Sequence, residues 1–184
     1  MATIKLIIGS TRPVRVGTQL VDSVAPALAQ ATGADVEVVD LKQLDLPFLA
    51  EPQMPAMGNY TLEATQNWSE VVKGADAVVW LSPEYNGGMP ASVKNAIDHL
   101  FAEWQDKPTM VIGYGFGGAS RASKHLVEIL GNMKANVVTE PVALAFGDNA
   151  PGADGLVAEP AAIVAAHEAD LKAAAAKLAA VLAA

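Results

Sequence analysis

The sequence predicts a doubly wound α/β domain: a five-stranded parallel sheet with helices on both faces, in three α/β/α layers. Three observations carry this. Short apolar runs alternate with stretches of helical periodicity along the 184 residues, the pattern that strand–helix–strand crossovers produce. Several of the runs are β-branched and almost continuously apolar, as strands buried on both faces require. The segments that follow the first, third and fourth runs each carry two or more glycines, and they fall where open parallel sheets hold their ligands.

Each element has its own signal. Thr3 to Ile8 is the first strand and stops at Gly9. Residues 17–32 put Leu20, Val24, Ala27 and Leu28 on one helical face, with Gly33 as the stop. Asp35–Asp40 is the second strand. Between Leu41 and Tyr60, Pro, Met and Gly replace periodicity, and so long a loop in a compact domain is commonly functional or flexible. A helix over Thr61–Lys73 ends at Gly74, and Ala75–Leu81 is the third strand. Pro90 opens the next helix, where a missing N–H costs nothing, and Val93, Ala96, Ile97, Leu100, Phe101 and Trp104 recur on it. That stripe suits either plain core or a subunit seam. Thr109–Tyr114 is the fourth strand, followed by a helix from about Ala119 to Met133. Asn136–Phe146 contains the fifth. A Gly/Pro/Asp-rich connection over 147–160 leads to a C-terminal helix with Val164, Leu171, Leu178 and Leu182 on one stripe. Without internal repeats, residues 1–184 read as one domain.

Composition narrows the function. Hydrophobic residues make up 52% and charged residues 17%, which excludes a disordered chain. A net charge of −8 argues against a nucleic-acid partner, which needs clustered Lys and Arg. With no cysteine, disulfides, thiolate catalysis and iron–sulfur clusters are out. His99, His125 and His167 lack metal-ligand spacing, so no metal is expected. The N-terminus is too short in apolar residues for a signal sequence, and no stretch reaches the ~20 apolar residues of a membrane span. A cytoplasmic chain is the expectation.

Three segments carry chemistry. Gly9 to Gln19 leaves the first strand and enters a helix, whose N-terminal amides form an anion site. Ser10, Thr11 and Thr18 add hydroxyls, and Arg12 offers a charge-assisted pair to a phosphate. Gly9 and Gly17 lie too far apart for a dinucleotide fingerprint, although Asp40 could imitate its ribose-binding acid. Ser82 to Pro90 sets Tyr85 and Asn86 beside two glycines that let backbone approach a flat ligand; a plain turn before a helix is the alternative. In Gly113 to Ala122 four glycines follow a buried strand, marking either a ligand contact or tight strand–helix packing. One segment thus fits a phosphate and two fit a planar ring.

The segments GSTR at 9–12, SPEYNGGMPASVKNAIDHL at 82–100 and GYGFGGASRA at 113–122 closely resemble the NADPH-dependent FMN reductase family. It includes flavodoxin-like quinone, azo-dye and chromate reductases. The resemblance covers residues 3–146. It implies a flavodoxin-like fold with FMN as cofactor and NADPH or NADH as electron donor. Ser10, Arg12, Thr18 and Gln19 would hold the FMN phosphate. Pro83, Glu84, Tyr85, Asn86 and Gly87 would line the isoalloxazine ring, with Gly115, Gly117 and Gly118 on its other edge. Where the family often has Pro-Gly-Arg in the first loop, Val14 replaces the glycine. The resemblance also implies a homodimer or homotetramer, with the loop at 46–60 placed to cover a neighbouring subunit's flavin.

Such a site needs no acid–base dyad or nucleophile, because the flavin carries the chemistry. Glu84 reads as a carboxylate that orients its loop and His125 as a surface or core residue. Amides near Asn86–Gly87 and Gly117–Gly118 would stabilise negative charge on the ring. NAD(P)H and a small acceptor (a quinone, flavin, azo compound or metal oxyanion) would use one open face in turn. Two other classes stay open: a flavodoxin-type electron carrier and a non-redox nucleotide-binding domain.

Overall fold

The computed structural model describes residues 1–184. Its strands are β1 (Thr3–Ile8), β2 (Asp35–Asp40), β3 (Ala77–Pro83), β4 (Pro108–Gly115), β5 (Asn136–Val137) and β6 (Val142–Ala145). Every pairing is parallel, in the order β2-β1-β3-β4, with β5 and β6 both on β4. The fifth position is therefore a single strand interrupted in the middle. β5 pairs with the start of β4 and β6 with its end. The break contains Pro141, which has no N–H to give a ladder.

The helices are α1 (Gly17–Thr32), α2 (Leu41–Leu44), α3 (Glu63–Lys73), α4 (Ala91–Asp98), α5 (Ser120–Asn132), α6 (Pro160–Ala166) and α7 (Glu168–Leu182). Alternation along the strands sorts the core into two layers. Leu6, Ile8, Val79, Leu81, Met110, Ile112 and Tyr114 pack with α1, α6 and α7. Ile7, Val78, Trp80 and Val111 pack with α3, α4 and α5, around the tilted rings of Trp68, Trp80 and Trp104.

The stripe on residues 93–104 belongs to this second layer except for Phe101, which is only half-buried. Val93, Ala96, Ile97, Leu100 and Trp104 are fully buried within one chain, so they are core and not a subunit seam. The helix also ends early, at Asp98, and Trp104 lies in a separate 3-10 turn. The C-terminal stripe is divided too. His167 interrupts it between α6 and α7, with its Nε2 against the Ala145 carbonyl at 3.1 Å.

The long 41–60 segment is fastened, with α2 at its start. Asn95 donates to the Pro47 carbonyl at 2.8 Å and accepts from the Leu49 N–H, and His99 also contacts Pro47 O. Glu51 accepts from the N–H groups of Thr61 and Leu62, capping the start of α3. Those bonds hold its carboxyl down near 2, against the opposing effect of burial.

From β1 the chain turns to β2 on one side and then crosses to β3 on the other. The β1 and β3 loops therefore part at a topological switch, where a crevice opens outside the strand ends.

Candidate functional site

The first loop, between β1 and α1, is a run of unspent donors. No backbone N–H from Ser10 to Thr18 is given to another backbone carbonyl. Arg12 is exposed and makes no ion pair or hydrogen bond. Free amides, a helix N-terminus and an unpaired guanidinium together make an anion cradle. Thr18 turns its hydroxyl to the Arg15 carbonyl at 2.9 Å.

Arg15 braces the loop. Its two terminal nitrogens each reach a carboxylate oxygen of Asp40 at 2.6 Å, and one also reaches Ser10 O at 2.8 Å. The pair is nearly enclosed, at 9% and 8% side-chain exposure. The register Ile8↔Asp40 places this carboxylate at the same sheet end as the loop. Burial pushes the Asp40 carboxyl up, but the Arg15 guanidinium and the Lys42 N–H outweigh it and hold it below the ordinary range. Asp40 is thus committed to the loop and to the cap of α2.

The second loop closes on itself through an Asn-Gly turn. Tyr85 and Gly88 exchange backbone hydrogen bonds at 2.8 and 3.0 Å, with φ of 52° at Asn86 and 82° at Gly87. Positive φ at both central residues is the type I′ pattern that Asn-Gly favours. The turn leaves the amides of Asn86 and Gly87 without partners. Tyr85 reaches the first loop, its hydroxyl 2.5 Å from Ser10 Oγ.

Glu84 ties this loop to the third. Its Oε2 accepts from the N–H groups of Arg121 (3.0 Å) and Ala122 (3.2 Å) in the first turn of α5. No residue of the helix's own sequence supplies that cap. In the third loop, Gly113 and Gly118 serve packing. A Cβ on Gly113 would run into the Gly118 carbonyl and Ser123 Oγ, and one on Gly118 would lie 2.6 Å from Ala143 Cβ. The Gly118 N–H is spent on Gly115 O at 3.2 Å. Gly117, by contrast, faces open space and keeps its amide free.

The three loops meet around a cavity of about 330 Å³, lined by Ser10, Arg12, Pro83, Glu84, Tyr85 and Phe116 among others. That volume lies in the roughly 300–1,000 Å³ range of small-molecule sites. A larger cleft of about 670 Å³ lies between the 41–48 segment and α4. It touches the first loop only at Thr11 and includes none of the residues of the second and third loops. The smaller cavity is therefore the one that all three loops line.

Of the residues expected from sequence, Ser10, Arg12, Pro83, Glu84 and Tyr85 line this cavity. Asn86, Gly87, Gly115 and Gly117 flank it on the two loops. Gln19 stands on α1, but its carboxamide is bonded to Val157. The structure adds Arg15, Tyr114, Phe116, Phe146, Pro151 and Gly155 to the lining. Tyr114 was within reach of strand alternation, since it shares a face with Met110 and Ile112. Its phenol sits so close to Gly17 that a Cβ there would lie 2.7 Å from the oxygen. Burial, reinforced by the Tyr85 phenol, pushes the Tyr114 hydroxyl far up, so it stays neutral. Pro151 and Gly155 carry no local signal.

The family model described as NADPH-dependent FMN reductase matches residues 2–149. An NAD(P)H-dependent FMN reductase of Schizosaccharomyces pombe is 38% identical over 143 residues, covering 77% of this chain and 72% of the relative. One of Saccharomyces cerevisiae is 35% identical over 144 residues, covering 72% and 75%. Among solved structures, the flavoenzyme NAD(P)H:(acceptor) oxidoreductase FerB of Paracoccus denitrificans superposes with a TM-score of 0.71. It is 25% identical, with 97% of each chain covered.

Proposed function

Because the chain belongs to the NADPH-dependent FMN reductase family, we propose that the cavity between its three loops is the flavin site. Ser10, Arg12 and the unspent N–H of Thr18 then serve the FMN phosphate. Pro83, Tyr85, Asn86, Gly87, Gly115 and Gly117 line the ring, with Glu84 and Gly118 holding those walls in place. The observation that carries this is the run of unspent N–H groups from Ser10 to Thr18 around an unpaired Arg12. It suits one phosphate, and it adjoins two loops whose free amides suit the edge of a flat ring.

The protein is an NAD(P)H-dependent flavin oxidoreductase. When bound, FMN would supply the redox chemistry that links NAD(P)H to an acceptor. The chain supplies position and charge. Arg15 and Asp40 brace the phosphate loop, and Glu84 locks the second loop to the third. The amides of Asn86, Gly87 and Gly117 are fixed dipoles that favour negative charge at the ring edge. Phe116, 78% exposed, gives the mouth an apolar surface against which a planar acceptor can lie.

The acceptors we propose are quinones, free flavins, azo compounds and metal oxyanions, taken in ping-pong alternation with NAD(P)H. Support comes from a relative named quinone reductase in Escherichia coli, 32% identical over 124 residues. We also propose a cytoplasmic homodimer or homotetramer. Its seam would involve the 46–57 segment, where Phe48, Met54 and Met57 stand exposed. No helix is long and apolar enough to cross a membrane.

The test is an anaerobic absorption spectrum of FMN-reconstituted protein before and after NADPH. Rapid bleaching of the bound flavin is expected. Flavin that stays oxidised would make the chain an electron carrier, and absence of binding would remove the cavity assignment.

A further inference from the structure

Gln19 occupies the first turn of α1, where a phosphate ligand is expected, yet its carboxamide is spent elsewhere. Its Nε2 donates to the Val157 carbonyl at 2.9 Å and its Oε1 accepts the Val157 N–H at 3.0 Å. This two-point clamp joins residues 138 apart in sequence and seats Val157 in the core at 3% exposure. The segment before Val157 is folded on itself. Gly152 N–H bonds Leu156 O, Gly155 N–H bonds Gly152 O, and Leu156 N–H bonds the Asp154 carboxylate. Its Pro151 and Gly155 line the same cavity as Ser10, Arg12 and Tyr85. At Gly155 it lies against the first loop, where a Cβ would be in ordinary contact with Val14 Cγ1 at 3.4 Å. The match to the family model ends at residue 149, just before this segment.

We propose that residues 150–157 form a fourth wall of the flavin site, and that Gln19 is a positioning residue holding this wall closed and not a phosphate ligand. This rests on the flavin reading of the cavity. A wall clamped in place before the ligand arrives spares binding the entropy of ordering it. Loosening the clamp must therefore weaken every flavin alike, whether or not it carries a phosphate.

The experiment compares FMN with riboflavin, which lacks only the phosphate, by fluorescence titration of wild type, Gln19→Ala and Arg12→Ala. Hydrogen exchange at the Val157 amide is followed in parallel. Gln19→Ala is expected to weaken both flavins by about tenfold, the scale of one or two lost hydrogen bonds, and to speed exchange at Val157. Arg12→Ala is expected to weaken FMN alone. Gly155→Ala disturbs the wall without touching Gln19, because φ there is +78°. It should weaken both flavins together, which keeps the test decisive if the Gln19 variant folds poorly. A Gln19→Ala protein that loses FMN but keeps riboflavin, or whose Val157 exchange is unchanged, overturns the proposal. Wild type that binds neither flavin overturns the underlying reading of the cavity.

Discussion

Replacing Asp40 by Ala is the sharpest test of how the first loop is held. In the native chain its carboxylate takes both terminal nitrogens of Arg15 at 2.6 Å and the Lys42 N–H at 2.9 Å. With both side chains under a tenth exposed, the variant leaves a guanidinium enclosed and uncompensated. Removing one partner of a buried pair costs about 3–5 kcal/mol. The retained bond from Arg15 to Ser10 O moderates that loss, while the lost α2 cap adds about 1 kcal/mol. For a domain of this size each kcal/mol shifts Tm by roughly 2–4 °C, so 3–5 kcal/mol predicts a fall of roughly 6–20 °C by calorimetry. The pH dependence has a definite sign. The folded carboxyl titrates below its unfolded value, so its contribution is present above the ordinary carboxylate pKa of about 3.9. It is lost as pH falls through the lower folded value. The gap between wild type and variant should therefore be constant near neutrality and close below pH ~4. A Tm change under about 2 °C, combined with lost NAD(P)H binding, would refute the brace and make Asp40 a nucleotide ligand.

Three further predictions use the same geometry. Arg12→Ala should weaken FMN by about 1.5–3 kcal/mol, the worth of a charge-assisted phosphate contact, while urea unfolding of the apo-protein moves little because Arg12 is exposed and unpaired. Gly113→Ala forces a methyl onto the Gly118 carbonyl and Ser123 Oγ, an overpacking expected to cost about 1–3 kcal/mol. Gly117→Ala meets nothing within 4 Å, so equal urea midpoints for the two variants would contradict the packing. Glu84→Ala removes the α5 cap and should lower stability by about 0.5–2 kcal/mol. Glu84→Gln keeps an acceptor oxygen and should recover most of that loss, and if it does not, the carboxylate has a role beyond capping.

The sheet and its helices were legible because each obeys a local period. β3 reads as a fully buried strand because all seven of its residues are buried, and α1 reads correctly to its Gly33 stop because four of its apolar residues return every turn. The three loops that line the cavity stood out in the sequence, since glycines, hydroxyls and an arginine follow strand ends. What each loop residue does was not. Glu84 reads as a carboxylate that orients its loop, but its partners, the first amides of α5, lie 37 residues on, and Gly118 proves to pack against β6. The stripe over 93–104 had the same periodicity whether it faced a core or a partner, and only closure of the α4 layer decided it.

The sequence by itself determined the layers, the strand order's repeating βα unit and the sheet end where ligands gather, because hydrophobic period and turn chemistry act within a few residues. Tertiary structure alone decided that Arg15 meets Asp40, that Tyr114 lies under the first loop, and that Gln19 clamps Val157. These contacts join residues 25 to 138 apart. They depend on which strand ends lie side by side after folding, and no local pattern along the chain encodes that adjacency.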